Sequence, residues 1–359
     1  MDNNKKCMRI VVCGTNFGRM YLGGVNILGE SGKLVGILSG GSKQSKACAD
    51  KNYVPLYTSV DELDKSMVDI VCVAVKSSVT GGKGTDIALK CLEKGISVLQ
   101  EQPVHYDDVW KCYKTAIKNN CYYSVNSFYS NVNAGKTFIE YGKKLIKKAK
   151  PLFIDASSSV QVSYPLVDLL GKLFGSVSPC EIKRISEKDG LMTVLEGKIC
   201  DVPLIIKGEN RIVAQDPDNY ALLFHKIILY TESGQLVLDN SIGLVLWEPR
   251  YYIPHTEDGR LDFYGDNEYS RLPVTEILNK EDLNNTYKDI YEKIWPGGIA
   301  NVLRDFISSM DEPLNKKNMQ YHLNICKFWN DVGRSLGTIQ IIEEPEIVSL
   351  KAEDIKEGI

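Results

Sequence analysis

Residues 11–24 read VVCGTNFGRMYLGG. An apolar strand ends at Cys13, a turn holds Gly14, and Gly18 opens a helix. Glycine lets backbone come close to a phosphate, and a helix N-terminus offers N–H groups with no intrahelical partner. The dinucleotide fingerprint G-x-G-x-x-G sets three glycines in such a turn. Here those slots hold Cys13, Thr15 and Gly18, with Gly14 displaced by one. The glycines alone are a weak signal, since a strand-to-helix turn without a ligand reads the same. Position in the chain decides: first strand, first turn, first helix, as a Rossmann fold requires. Cys13, Gly14, Thr15, Asn16, Phe17 and Gly18 are therefore the expected phosphate cradle.

The rest of the first 128 residues follows the same grammar. Strand-like runs lie at Met8–Cys13, Leu34–Ser39, Asp69–Val75, Ser97–Gln100 and Tyr122–Asn126. Helical stretches separate them at Gly18–Gly29, Ser45–Lys51, Ser59–Lys65, Gly84–Gly95 and Asp107–Asn119. The strands are continuous apolar runs, as expected when helices cover both sheet faces. From about residue 151 strands follow one another with short turns, at Phe153–Val162, Cys180–Ser186, Leu191–Leu195, Val202–Gly208, Ala221–Tyr230 and Gln235–Val245. This pattern predicts an antiparallel sheet. A helix at Tyr164–Phe174 precedes most of that run, and helices at Pro296–Ser309 and Leu314–Leu336 follow it. The expected fold class is α/β then α+β. A doubly wound parallel sheet occupies 1–128, and a substrate domain of antiparallel sheet plus helices occupies 129–359, its last helices able to pack back on the first domain.

Composition bounds the function. The chain has 359 residues, a formal net charge of -3, and 25% charged against 43% hydrophobic residues. That is the balance of a soluble globular protein of about two domains. Nucleic acid is a poor partner for a mildly acidic chain, and no apolar run reaches the ~18 residues of a membrane span. The start, MDNNKKCMRIVV, goes from a polar lead into a short strand, unlike a signal peptide. The 10 cysteines contain no C-x-x-C pair and sit mostly in apolar runs, so reduced thiols, a cytoplasmic location and no metal site are expected.

The second strand speaks to the cofactor. NAD enzymes place an acidic residue there for the ribose 2′-hydroxyl. This chain reads Leu38-Ser39-Gly40-Gly41-Ser42-Lys43-Gln44-Ser45, with no acid until Asp50. Ser39, Gly41, Ser42, Lys43 and Ser45 suit a 2′-phosphate, which predicts NADPH rather than NADH. The nicotinamide end should lie beyond the carboxyl ends of the middle strands. Three segments reach that place: Ala74–Val79, which includes Val75, Lys76 and Ser77; Gln100–Pro103, which includes Glu101 and Gln102; and Asn126–Asn131, which includes Tyr129.

These segments carry a resemblance. Glu101-Gln102-Pro103 sits where the glucose–fructose oxidoreductase and inositol dehydrogenase superfamily has Glu-Lys-Pro, and Pro165 to Asp168 where it has His-x-x-Asp. CGTNFGRMYLGG, VKSSVTGGKGT, VLQEQPVH and SVQVSYPLVDLLG resemble one branch in particular, the thiazolinyl imine reductases. The resemblance implies NADPH-dependent reduction of a thiazoline C=N to a thiazolidine. The substrate would be tethered to a carrier domain of a nonribosomal peptide synthetase, in siderophore assembly. A homodimer is the corresponding expectation from superfamily analogy.

Imine reduction needs a hydride on carbon and a proton on nitrogen. Tyr129 is the candidate acid, because an ordinary phenol stays protonated at pH 7. Gln102 occupies the superfamily's lysine slot; an amide can orient a substrate or nicotinamide but cannot give up a proton. Pro165 occupies the histidine slot. A sugar or cyclitol dehydrogenase, the alternative reading, needs a base in these slots. A cofactor-binding sensor without catalysis is the second alternative. Tyr164, Asp168, Trp247 and His255 are the candidate substrate contacts. His105 reads as structural, as do His225 and His322. The basic run Lys143-Lys144 and Lys147-Lys148 falls on one helical face and reads as a solvated surface or a dock for an acidic carrier domain.

Overall fold

The computed structural model describes residues 7–186, 190–310 and 316–356. The first part is a Rossmann unit. Strand β1 (Met8–Cys13) leads into α1 (Gly18–Ile27), then β2 (Gly32–Leu38), α2 (Lys43–Lys51), β3 (Leu56–Tyr57), β4 (Ile70–Val73), α3 (Gly84–Glu93), β5 (Ser97–Glu101), α4 (Tyr106–Lys118) and β6 (Tyr123–Asn126). The sheet order is β3-β2-β1-β4-β5-β6, parallel throughout. The expected helix at Ser59–Lys65 is only a 3-10 turn, Val60–Glu62, closed by a capping box in which Ser59 and Glu62 bond each other's backbone. Seven residues, Ser59–Lys65, give too little length for a stable α-helix.

The apolar runs divide by period two. Ile10, Val12, Ile70 and Cys72 enter one core with α1; Val11, Cys13, Val71 and Val73 enter the other with α3 and α4. Both faces of each strand are thus dry, as the unbroken hydrophobic runs require.

The second part begins with α5 (Asn133–Lys148), β7 (Pro151–Ser159) and α6 (Ser163–Phe174). Strands β8 (Cys180–Arg184), β9 (Met192–Ile199), β10 (Val202–Glu209), β11 (Arg211–Val213), β12 (Lys226–Thr231), β13 (Gly234–Leu238), β14 (Val245–Pro249) and β15 (Glu276–Ile277) follow. The large sheet has order β15-β14-β13-β12-β7-β10-β9-β8. It is mixed rather than purely antiparallel, because β10 runs parallel to β7. The connection between these two strands is long, through α6 and the β8–β9 hairpin, which is what a parallel pair needs. The run Gln235–Val245, expected as one strand, is a hairpin with its turn at Asn240–Gly243, where the Gly243 N–H donates to Asn240 O. Ala221–Tyr230 begins as strand only at Lys226.

Helices α7 (Tyr287–Asp289), α8 (Trp295–Ser309) and α9 (Lys316–Leu336), strand β16 (Gln340–Ile342), paired with β11, and α10 (Ala352–Lys356) complete the chain. The expected start of α9 at Leu314 lies outside the described residues. Helix α8 returns to cover the open face of the Rossmann sheet. A Cβ on Gly24 would lie 2.7 Å from Ile299 Cγ2, and one on Gly23 would lie 3.0 Å from Pro296 Cβ, so the Gly23-Gly24 pair is what lets α8 reach α1. No described helix is long and apolar enough to cross a membrane.

Candidate active site

A Rossmann sheet takes its ligand in the crevice outside the carboxyl ends of its strands; β1, β4, β5 and β6 end there, and the start of α8 stands beside them, with Trp295 against Phe17 and Phe128. The first turn forms its floor. Gly14 sits at φ +101°, and a Cβ there would lie 2.7 Å from Val75 Cγ1 and 3.0 Å from Ala74 O. Its N–H donates to Leu38 O at 2.9 Å. Only glycine allows both the torsion and the approach. Helix α1 opens with no side-chain cap at Phe17; the Arg19 and Met20 N–H groups donate to Asn16 O and Phe17 O, so it is the N–H groups of the turn before Arg19 that are offered to an anion. Thr15 and Phe17 are half-buried and Asn16 is exposed along this turn. Cys13 departs from expectation. Its side chain is 2% exposed and packs in the core with Leu38 and Cys91, and burial pushes its thiol up to about 12. Only the backbone of Cys13 can approach a cofactor, since the strand's alternation turns its side chain to the α3 side.

The β2–α2 loop holds the expected 2′-phosphate residues. Gly41 adopts φ +77°, Ser42 caps α2 by accepting from the Ser45 N–H at 3.2 Å, and Lys43 is exposed at the first helical position. The Ser39 N–H donates to Tyr57 O at 3.0 Å, leaving its hydroxyl at the half-buried rim. Ser45 is a second correction: it is fully buried and its hydroxyl donates to Ser42 O at 2.9 Å, so it serves the helix start.

The Val75-Lys76-Ser77 loop folds back on itself. Gly84 donates to Lys76 O, and Gly82 to Ser77 O at 2.8 Å. The Ser77 hydroxyl donates to Pro103 O at 2.5 Å, tying β4's end to β5's end. The Lys76 ammonium pairs with Asp218 of the second domain at 2.9 Å, although both are largely exposed.

At the crevice centre Asn126 Nδ2 donates to Tyr21 Oη at 2.6 Å, and Tyr21 donates in turn to Glu101 Oε2. Burial pushes the Glu101 carboxyl up to about 8, against the pull of its hydrogen bonds from Tyr21, Gln102 and Asn126. Gln102 follows with its Oε1 buried and unpartnered among the described residues. Tyr129 is 5% exposed. Its ring stacks on Phe128 with centroids 4.4 Å apart and meets His225 edge-on at 5.0 Å. Its hydroxyl makes no hydrogen bond to any described residue, and burial, with the nearby Glu101 charge, holds the phenol well above its ordinary pKa. The group therefore keeps its proton.

His225 underlies this tyrosine. It is fully buried, with Nε2 at 2.7 Å from Val162 O and Nδ1 at 2.7 Å from Ser241 Oγ. A carbonyl can only accept, so Nε2 carries the hydrogen and Nδ1 accepts from Ser241. Burial lowers its pKa to about 4, so the ring is neutral.

Two site residues escaped the sequence reading of roles. Trp295 packs within 6.1 Å of the rings of Phe17, Phe128 and Tyr129, and its Nε1–H is buried without a partner among the described residues. Its signal was the Trp295-Pro296 pair, since proline at the start of a helix fixes where the helix begins. The Tyr21–Asn126 arm of the Glu101 network joins residues 105 apart, which no local pattern reveals.

The expected substrate contacts are not brought together. The Tyr164 hydroxyl faces Cys326 Sγ on α9, and Asp168 Oδ1 accepts from Tyr321 of the same helix at 2.9 Å. Both are core residues between α6 and α9. Trp247 pairs with Leu236, which touches α5 near Gly142, so the indole lies on the helix-covered face of the large sheet. His255 is exposed on the β14–β15 loop, bridged to Leu261. His105 caps α4, with Nδ1 accepting from the Asp107 N–H at 3.3 Å.

A nicotinamide dinucleotide fits these residues. The glycine cradle and uncapped α1 suit its pyrophosphate, and the unpartnered Gln102 Oε1 and Trp295 Nε1 offer an acceptor and a donor where the nicotinamide end would lie. Among the described residues no group of three or more His, Cys, Asp or Glu could hold a metal ion.

Residues 8–127 match the oxidoreductase family with an NAD-binding Rossmann fold, and residues 149–248 match the C-terminal domain of the thiazolinyl imine reductase Irp3-like family. No curated protein matches the chain in sequence. Among solved structures, the WlbA dehydrogenase from Bordetella pertussis, in complex with NADH and UDP-GlcNAcA, has TM-score 0.65 and 14% identity over 93% of this chain and 96% of that one. An oxidoreductase from Agrobacterium radiobacter, in complex with NAD+, L-tartaric acid and magnesium, has TM-score 0.66 and 9% identity over 92% and 96%. A myo-inositol dehydrogenase from Corynebacterium glutamicum has TM-score 0.61 and 11% identity over the same shares. At such identities these structures speak to the fold alone. The two family matches together take in the cofactor half and most of the large sheet: the chain carries an oxidoreductase-family NAD-binding Rossmann domain followed by a domain that matches the C-terminal part of the thiazolinyl imine reductase Irp3-like family.

Proposed function

We propose that this oxidoreductase reduces the C=N bond of a thiazoline to a thiazolidine with NADPH. One observation carries the reading. The crevice presents a buried tyrosine, Tyr129, with its proton held and its hydroxyl free of described partners, while the two positions where a sugar dehydrogenase needs a base hold Gln102 and Pro165. The site is furnished to give a proton, and neither Gln102 nor Pro165 can take one from a hydroxyl. The Irp3-like second domain supports the same substrate class.

The bound nicotinamide supplies a hydride to the imine carbon. The chain's residues do the rest. Gly14 and the start of α1 hold the pyrophosphate. Gln102 and Trp295 orient the reacting end by hydrogen bonds. Tyr129 Oη delivers the proton to the imine nitrogen, and the resulting phenolate regains its proton from water. Phe17, Phe128 and Trp295 line the approach and exclude bulk water. Ser42 and Lys43, on the rim, favour a 2′-phosphate.

We infer further that the substrate arrives tethered to a carrier domain of a nonribosomal peptide synthetase in siderophore-type assembly. The enzyme would work in the cytoplasm as a homodimer. The exposed Lys143, Lys144, Lys147 and Lys148 of α5 would meet the acidic carrier.

The test is NADPH oxidation with an aryl-thiazoline, free or carrier-bound. Turnover is expected there, and none on inositol or a nucleotide sugar; the reverse pattern overturns the proposal. Tyr129→Phe should lower kcat by about 10²–10⁴-fold with NADPH binding unchanged. An undiminished kcat would remove Tyr129 from the mechanism.

A further inference from the structure

Between β14 and β15 the chain leaves the large sheet for an arm, residues 250–275, in which no residue is buried. The arm is shaped by its own contacts. The Thr256 N–H donates to Arg260 O at 2.8 Å and the Asp262 N–H to Pro254 O at 2.9 Å, closing a small hairpin at the His255–Leu261 bridge. Tyr252 meets Tyr269 edge-on at 4.8 Å. Arg271 grips Asp266 with both ends of its fork, Nε to Oδ1 at 2.6 Å and Nη2 to Oδ2 at 2.5 Å.

Its composition differs from that of a solvated loop. The arm holds three of the chain's nine arginines, four tyrosines and Phe263, but none of the 34 lysines. Enrichment in Tyr, Phe and Arg with depletion of Lys is the pattern of protein–protein interfaces. Tyr251, Tyr252, Phe263, Tyr264 and Tyr269 are 45–99% exposed. At about 200 Å² per aromatic side chain, that is on the order of 700 Å² of aromatic surface. The largest apolar patch on an ordinary monomer is about 300–600 Å², whereas one side of a standard interface takes about 800 Å². Val274 and the leucines at 261 and 272, also exposed, bring the arm to the second size.

Charge and permanence indicate what covers it. Two of the three arginines are neutralised within the arm, Arg271 by Asp266 and Arg260 by Asp258 at 3.2 Å. Five carboxylates against three arginines leave a small acidic excess, which repels an acidic carrier domain or a nucleic acid. A preformed aromatic surface is exposed for as long as the protein exists, and a second copy of the chain is always present in matching amount. Twofold symmetry brings one patch against itself, and an aromatic surface carrying both signs of charge can be its own complement.

We propose that residues 250–275 form the centre of a twofold interface between two copies of this chain, the arms packing their tyrosines and Phe263 against each other. This names the surface of the homodimer inferred above and rests on that inference, not on the reaction assigned to the crevice.

The experiment is sedimentation velocity of the full chain over a dilution series from about 50 to 0.5 μM, since assembly follows mass action. A species of twice the chain's mass is expected at the upper end. The triple variant Tyr251→Ser, Tyr264→Ser, Val274→Ser changes side chains that are 84%, 99% and 89% exposed, so the protomer's own packing and far-UV circular dichroism should be unaltered. Its dimer Kd should rise at least ~100-fold. Hydrogen exchange gives a second reading: amides of 250–275 should gain protection with concentration in the unsubstituted chain and not in the variant. A monomer at every concentration overturns both this proposal and the homodimer. A dimer that persists unchanged in the variant, or concentration-dependent protection confined to other segments, overturns the arm alone and leaves the homodimer with another surface.

Discussion

His225 makes the most direct test of how the second domain supports the crevice. The ring is fully buried beneath Tyr129, bonded to Val162 O and Ser241, and its pKa falls from 6.5 to about 4. Since the folded pKa is depressed, the folded state binds fewer protons than the unfolded chain at acid pH. Stability from this group is present above about pH 6.5 and is lost as pH falls toward 4. At about pH 5 the unfolded histidine is almost fully charged and the folded one about a tenth charged, a loss of about 2 kcal/mol relative to pH 8. Glu101 acts in the opposite sense. Its folded pKa is raised to about 8, so its contribution is present at low pH and lost as pH rises through that value. The whole protein's pH profile therefore mixes the two, and the difference from a variant isolates the histidine. His225→Gln keeps a donor for Val162 O and an acceptor for Ser241 while removing the titration. Urea unfolding of both proteins at about pH 8 and pH 5, at fixed ionic strength, should show the unsubstituted chain losing about 2 kcal/mol more than His225→Gln, with unchanged m-values. Equal losses, or a larger loss in the variant, would refute the assignment of a buried neutral imidazole.

Two further predictions concern the cofactor. Gly14→Ala places a Cβ 2.7 Å from Val75 Cγ1 at φ +101°. It should cost at least ~2 kcal/mol in thermal or urea unfolding and raise the NADPH Kd by about tenfold or more by fluorescence titration. Lys43→Glu should raise the NADPH Kd about tenfold and leave the NADH Kd nearly unchanged, because the 2′-phosphate is the only difference; equal weakening of both would remove Lys43 from cofactor choice.

Much of the Rossmann half was legible because its signals are local. Cys13–Gly18 couples a strand end, a turn and a helix start within six residues, and the unbroken apolar runs of β1, β4 and β5 announce a sheet covered on both faces. Pro165 and Gln102 could be placed by pattern and by resemblance. The failures share one cause. Cys13, Ser45, Tyr164, Asp168 and Trp247 lie close in sequence to functional-looking motifs, but the direction of a side chain depends on what packs against it. Ser45 turned inward because Ser42 needed a cap partner, and Tyr164 and Asp168 turned to α9 because Cys326 and Tyr321 stand there.

The chain by itself determined a parallel nucleotide-binding sheet, a following sheet domain and the residues that reach the strand ends, because periodicity, turn chemistry and glycine placement act over a few neighbours. Tertiary structure decided the chemistry of the crevice. Whether Tyr129 keeps its proton depends on Phe128, His225 and Trp295, which arrive from three separate elements and remove the water that would otherwise set its pKa. It also decided that α8, some 270 residues after α1, closes the first domain, since only the missing Cβ atoms of Gly23 and Gly24 leave room for Pro296 and Ile299. Desolvation and close packing are properties of surroundings, and surroundings exist only once the chain has folded.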